Sequence, residues 1–137
     1  MPTPEAEVLA ANEAFYAAFA RRDVQAIEAM WSSRADIACV HPGWDALIGR
    51  REVLQSWRAI LASPEAPDVL CGGAVVHVVG DAAFVICNEV LPSAELCATN
   101  VFVREAGTWK LMHHHAGPVA SRLEEPQMKP PPPRVLN

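Results

Sequence analysis

The chain has no Cys-x-x-Cys pair, no basic cluster, no apolar run long enough to cross a bilayer and no internal repeat. Its four cysteines, Cys39, Cys71, Cys87 and Cys97, stand far apart. Three lie in apolar runs and Cys97 among small and polar residues, which reads as reduced, mostly buried thiols of a cytoplasmic protein and not as a disulfide framework. With 11 Lys and Arg against 16 Asp and Glu, the formal charge is −5, so no nucleic-acid partner is expected. The opening "MPTPEAEVLAANEAFYAAF" lacks a basic leader and a uniform apolar stretch, so neither a signal peptide nor a membrane partner is expected. What is present is hydrophobic: 51% of 137 residues, which excludes a disordered chain and suits one domain with a substantial core.

Periodicity divides the chain in two. Residues 4–21 predict an amphipathic helix, with Val8, Asn12, Phe15 and Phe19 near helical spacing, Glu5 and Glu7 in its first turn and Arg21 and Arg22 in its last. Asp23 predicts the cap of a short helix over 24–31. "ADIACVH", 35–41, reads as a strand, and 49–63 as a third helix. The second half is strand signal: 69–79 meets 82–91 across Gly80-Asp81, and 94–105 meets 108–119 across Ala106-Gly107. The Gly72-Gly73 pair predicts a bulge or sharp bend. The order gives an α+β domain over 1–120, three helices packed on a curved antiparallel sheet. Residues 121–137 form a proline-rich tail, suited to lie extended across its own domain or a partner.

Three stretches, "FYAAFARRDVQAIEAMW", "HPGWDALIGRREVLQSW" and "TNVFVREAGTWKLMHHHAGP", carry a resemblance. Together they resemble the NTF2-like superfamily in its SnoaL-like branch. The last also resembles the association domain of the calcium/calmodulin-dependent kinase, through Thr99, Val101, Phe102, Gly107, Trp109, His113, His115 and Gly117. The resemblance implies a cone-shaped barrel, three N-terminal helices on a mainly antiparallel sheet. It also implies a pocket between the concave sheet face and the helices, and a homodimer formed through the sheet. The family's members include ketosteroid isomerases, limonene-epoxide hydrolases, polyketide cyclases, dehydratases and non-catalytic assembly modules. The expectation is therefore a cofactor-independent isomerase, cyclase, dehydratase or hydrolase, using histidine acid–base chemistry on a small apolar carbonyl or hydroxylated compound. The alternative is a ligand-binding or oligomerisation module without chemistry.

The histidine run "MHHHAG" carries the candidate site. Strand alternation puts His113 and His115 on one face, with Ala98, Asn100, Phe102, Trp109 and Leu111, and sends His114 to the other. On an uninterrupted ladder Asn100 opposes His113, where it can hold one tautomer or contact a ligand. The back face then carries Val101, Val103 and Met112, apolar enough for a dimer partner. His113 has the reference pKa for proton transfer at neutral pH. His-x-His with His41 as a third ligand can chelate a metal, but no acidic residue near the strand offers second-shell support, so no metal is expected. His113 can equally be a hydrogen-bonded core residue. His41 either stands in for a catalytic acid or ends its strand. Asp36 and Asp45, nearby, match no family position. The Tyr16 hydroxyl can serve an oxyanion or sit at the rim. Trp31, Trp44 and Trp57, with Phe102, Asn100 and His115, are the expected ligand shelf. Glu89 is read as solvated at an open strand end, although a cavity-facing Glu89 is a candidate acid.

Overall fold

Thr3 starts the first helix. Its Oγ1 accepts from the Ala6 amide at 3.1 Å, Pro4 occupies the first turn, where no helical amide partner is needed, and Glu5 and Glu7 face the positive end of the dipole. In the computed structural model, which describes residues 2–120, helix α1 runs Pro4–Ala20 and α2 runs Val24–Met30. The two arginines expected in the last turn of α1 lie beyond it. Arg22 turns left-handed (φ 57) and donates to the carbonyls of Phe19 at 3.0 Å and Ala66 at 2.8 Å, redirecting the chain. Asp23 then caps α2 by accepting from the Ala26 amide at 3.1 Å. The third helix, α3, spans Arg50–Ala62 and presents Val53, Leu54, Trp57 and Leu61 inward.

Six strands form one sheet: β1 (Ala38–Val40), β2 (Leu47–Ile48), β3 (Leu70–Val79), β4 (Ala82–Val90), β5 (Glu95–Glu105) and β6 (Thr108–Pro118), in the order β2-β1-β6-β5-β4-β3. The last four make the meander that the sequence predicts. The early strand is shorter than 35–41, because Asp36 is held in a turn by a two-pronged ion pair with Arg34 at 2.8 and 2.9 Å. It lies parallel to β6, pairing Ala38, Cys39 and Val40 with His113, His114 and His115. Strand β2, two residues long, has no counterpart in the sequence reading. Helix α1 packs across the concave face, against β3, β4 and β6. The core comprises Val8, Phe15, Ile27, Trp31, Ile37, Val85, Phe102 and Leu111, all nearly inaccessible to solvent.

Two irregularities shape the sheet. The ladder between β3 and β4 slips between Gly72 and Val75, at the predicted glycine pair, with Gly73 at φ 62. The second slip was not expected. Phe102 pairs with Leu111 but Val101 pairs with His113, leaving Met112 as an extra residue in β6. A one-residue bulge exchanges the faces of everything beyond it. The tail, residues 121–137, lies outside the described residues.

The β5–β6 turn places both Ala106 (φ 50) and Gly107 (φ 80) in the left-handed region, which suits a primed hairpin but strains an alanine. Ala106→Asn, which supplies the residue this turn prefers, should raise stability by about 1 kcal/mol. An unchanged or lower midpoint in urea would show that Ala106 is not strained.

Candidate functional site

A cavity of about 240 Å³ opens between α1, α3 and the concave face of β4 and β6. Phe15, Tyr16 and Phe19 of α1 form one wall, and Trp57 of α3 another. His41 and Trp44, after β1, line the side formed by the β1–β2 connection. Glu89 and His114 supply the polar groups of the sheet wall. None of the 14 lining residues is Lys or Arg.

The bulge at Met112 decides which histidine belongs to this site. His114 is 3% exposed and lines the cavity, whereas His113 is half-buried and His115 exposed on the outer face, their rings 6.2 Å apart. The expected faces are therefore reversed for all three. Asn100 opposes His114, not His113, and Ala98 opposes Ala116. Trp31 and Phe102 are likewise not ligand shelf: both are buried in the core and neither lines the cavity. Tyr16, His41, Trp44 and Trp57 do line it. Asn100, completely buried, stands behind it as the hub of a polar network.

Glu89 is the largest departure from expectation. It is 6% exposed, not solvated, and lines the cavity. Strand alternation already pointed there: Ala83, Val85, Cys87 and Glu89 share the inner face of β4, all buried. Its Oε2 accepts from the Tyr16 hydroxyl at 2.6 Å and lies 3.8 Å from His114 Nε2.

Donor and acceptor roles follow from the amide of Asn100. Its Nδ2 donates to Asn12 Oδ1 at 2.9 Å and to the Tyr16 oxygen at 3.0 Å. Its Oδ1, 2.5 Å from His114 Nδ1, can only accept, so His114 carries its proton on Nδ1. His114 Nε2 is left with a lone pair toward Glu89. The Tyr16 proton is engaged by Glu89, so the Cys87 thiol, 3.4 Å away, donates to Tyr16 and not the reverse. On the far wall, Ser56 donates to the Val53 carbonyl at 2.7 Å, so His41 Nε2 must donate to Ser56 at 2.9 Å.

The charges follow from burial. Desolvation pushes His114 down to about 3, helped by His41 and the adjacent histidines, and His41 down to about 4. Both rings are neutral at pH 7. Desolvation raises the Glu89 carboxyl, and the bond from Tyr16 opposes this only in part. Desolvation, and then the neighbouring Glu89 charge, hold Tyr16 firmly protonated. Burial pushes the thiols of Cys39 and Cys87 up to about 12, so they are poor nucleophiles. Among the described residues no group of three or more His, Cys, Asp or Glu is placed to hold a metal ion.

Residues 8–121 match the SnoaL-like domain family. The chain is 38% identical to a provisionally assigned dehydratase of the NTF2-like family from Streptomyces avermitilis, with a TM-score of 0.78 over 85% of this chain and 96% of that one. It is 34% identical to a provisionally assigned calcium/calmodulin-dependent protein kinase type II association domain from Thiobacillus denitrificans, with a TM-score of 0.73 over 87% of this chain and 97% of that one. It is also 25% identical, over 111 residues, to the F-box protein SKIP8 of Arabidopsis thaliana. That match takes in 80% of this chain but 48% of the relative, so the chain spans about half the length of its curated relative.

Proposed function

From the premise that the chain belongs to the SnoaL-like domain family, we propose that it is a cofactor-independent acid–base enzyme acting on a small, largely apolar carbonyl or hydroxylated compound. One observation carries the reading: a buried carboxyl, Glu89, held by Tyr16 at 2.6 Å, stands in the wall of an apolar cavity beside a neutral imidazole. A desolvated carboxylate is a stronger base than a solvated one, and its conjugate acid forms at higher pH. Glu89 takes the proton and returns it. Tyr16 fixes the carboxyl by donating to one lone pair of Oε2, which leaves the other lone pair of that oxygen for the substrate. His114 takes the place in the cavity wall expected of His113, as a neutral acceptor beside Glu89 and not as the group that moves the proton. Phe15, Phe19, Trp44 and Trp57 hold the apolar body of the substrate and keep water from the reacting groups. The similarity to the Streptomyces protein, assigned as a dehydratase, fits such chemistry.

Proton abstraction can be read without knowing the natural substrate. Small cyclic β-hydroxy ketones incubated with the protein in D₂O should gain deuterium beside the carbonyl, or lose water. Glu89→Gln should slow this by about 100-fold or more. Exchange at the buffer rate with every member of the series, or equal rates in Glu89→Gln, would refute the assignment of Glu89.

A second reading, assembly without chemistry, draws on the outer face of the sheet and on the likeness to the association domain. Leu70, Val75, Val79, Ile86 and Val90 of β3 and β4 are exposed there, whereas Val101, Val103 and Met112 are half-buried. Apolar faces of that extent are rare on monomers. The proposal is a homodimer packed face to face through β3 and β4, burying roughly 1,200 Å² or more in total. Light scattering should give twice the chain mass at micromolar concentration, and Val75→Asp with Ile86→Asp should halve it. A monomeric parent protein removes this reading.

A further inference from the structure

We infer that the cavity selects an apolar ligand by a neutral hydroxyl head, and discriminates against ketone, carboxylate and ammonium heads of the same shape. The inference rests on the cavity proposed above as the binding site. It concerns binding and needs no turnover.

The unpaired acceptor on His114 is the starting point. Asn100 Oδ1 fixes the His114 proton on Nδ1, so Nε2 presents a lone pair. Its polar neighbour, Glu89 Oε2, is 3.8 Å away, beyond hydrogen-bond distance, and that oxygen already accepts from Tyr16. His114 lines the cavity, so a bound ligand can supply the donor that no side chain gives to Nε2. Two atoms 3.8 Å apart share a point about 2.8 Å from each, an ordinary hydrogen-bond length for both. One ligand oxygen at that point reaches His114 and Glu89 together.

The head must donate in either state of Glu89. With Glu89 protonated, the carboxyl donates to the ligand oxygen, and the ligand hydroxyl donates to Nε2. With Glu89 ionised, both protein groups accept, and the hydroxyl still satisfies one of them. A ketone leaves Nε2 without a donor in both states, and in the ionised state it places a third acceptor among two. A carboxylate head meets no Lys or Arg in the lining. An ammonium head must give up its hydration to a carboxyl whose burial already favours its uncharged form. The cavity, about 240 Å³, lies below the usual range for drug-sized ligands, about 300–1,000 Å³, and suits a single ring.

Cyclohexanol, cyclohexanone, cyclohexylammonium and cyclohexanecarboxylate differ in the head alone. Titrated into the ¹⁵N-labelled full chain at pH 7.5, the alcohol should bind about tenfold or more tighter than the ketone or the ammonium, and the carboxylate should not bind. The alcohol should also move the ¹⁵N signal of His114 Nε2, as donation to that lone pair requires. In Glu89→Gln the amide supplies a donor beside Nε2, so the preference for alcohol over ketone should fall about tenfold. A ketone or ammonium that binds as tightly as the alcohol overturns the inference and leaves the acid–base proposal standing. Alcohol binding without proton exchange on any substrate sinks the acid–base proposal and leaves this inference standing. If none of the four binds at 10 mM, the cavity is not a ligand site and both fall.

Discussion

Asn100→Leu should lower the unfolding free energy by about 3–5 kcal/mol, among the largest effects of any single substitution in this chain. Leucine keeps the branched shape of asparagine but is larger, so the loss combines missing partners with some overpacking at a fully buried position. Three groups are orphaned at once: the His114 Nδ1 proton, Asn12 Oδ1 and an acceptor site on the Tyr16 oxygen. All three residues are buried, at 3%, 1% and 6% exposure, so water cannot replace the lost bonds without opening the core. Each unsatisfied buried group costs about 1–3 kcal/mol, and relaxation of the network recovers part of the sum. The substitution also frees the His114 tautomer, so the preference for a hydroxyl head should weaken with stability. Urea unfolding at pH 7 checks the first effect. A loss under 1 kcal/mol would mean that the network is not a stabilising unit and that Asn100 does not fix the ring.

The fold was legible because each local signal agreed with its neighbours. Asp23 capped α2 where it should, Gly72-Gly73 bent β3, and Ala106-Gly107 turned the last hairpin. The parallel pairing of β1 with β6 was not legible, because it depends on a contact more than 70 residues away and on no local pattern. The site was half legible. Tyr16, His41, Trp44 and Trp57 belong to the cavity wall as expected, since helix periodicity and the Pro42-Gly43 break are robust to small shifts. The histidines failed because strand alternation propagates a single error without decay. One extra residue, Met112, inverts His113, His114 and His115 together. Nothing in "KLMHHHAG" announces that bulge, since three identical residues carry no alternation to lose. Asn100 kept its expected part as the tautomer-setting partner, but of the next ring along. Glu89 was misread for a different reason. Its place near the end of the strand suggested an opening to solvent, whereas the alternation Ala83, Val85, Cys87, Glu89 carries it to the inner face.

Acid should destabilise this protein well above the range where carboxylates titrate. His114 and His41 have folded pKa values of about 3 and about 4, below the reference value near 6.5 expected for the unfolded chain. Below pH 6.5 the unfolded state binds protons that the folded state refuses, so stability falls as pH falls. The loss between pH 7 and pH 5 is about 2 kcal/mol for each ring. Glu89 acts in the opposite sense. Its raised folded value means that its contribution is greatest at low pH and is lost as pH rises through that value, so it offsets part of the histidine effect. The groups facing these rings are of known sign. His114 meets Glu89 on β4, Asn100 on β5, Phe15 on α1, Trp57 on α3 and His41 after β1, with His113 and His115 on its own strand. His41 meets Cys39, Ser56, Trp44 and Trp57. Glu89 carries the one acidic group among these partners, so no carboxylate other than Glu89 is at hand to stabilise an imidazolium. Urea midpoints should therefore drop between pH 7 and pH 5 in the parent protein. They should drop less in His114→Gln, which removes one refused proton while lowering stability at pH 7. A stability flat across that range, or an equal slope in His114→Gln, would mean that His114 is charged in the fold, and the neutral-imidazole account of the site would fail with it.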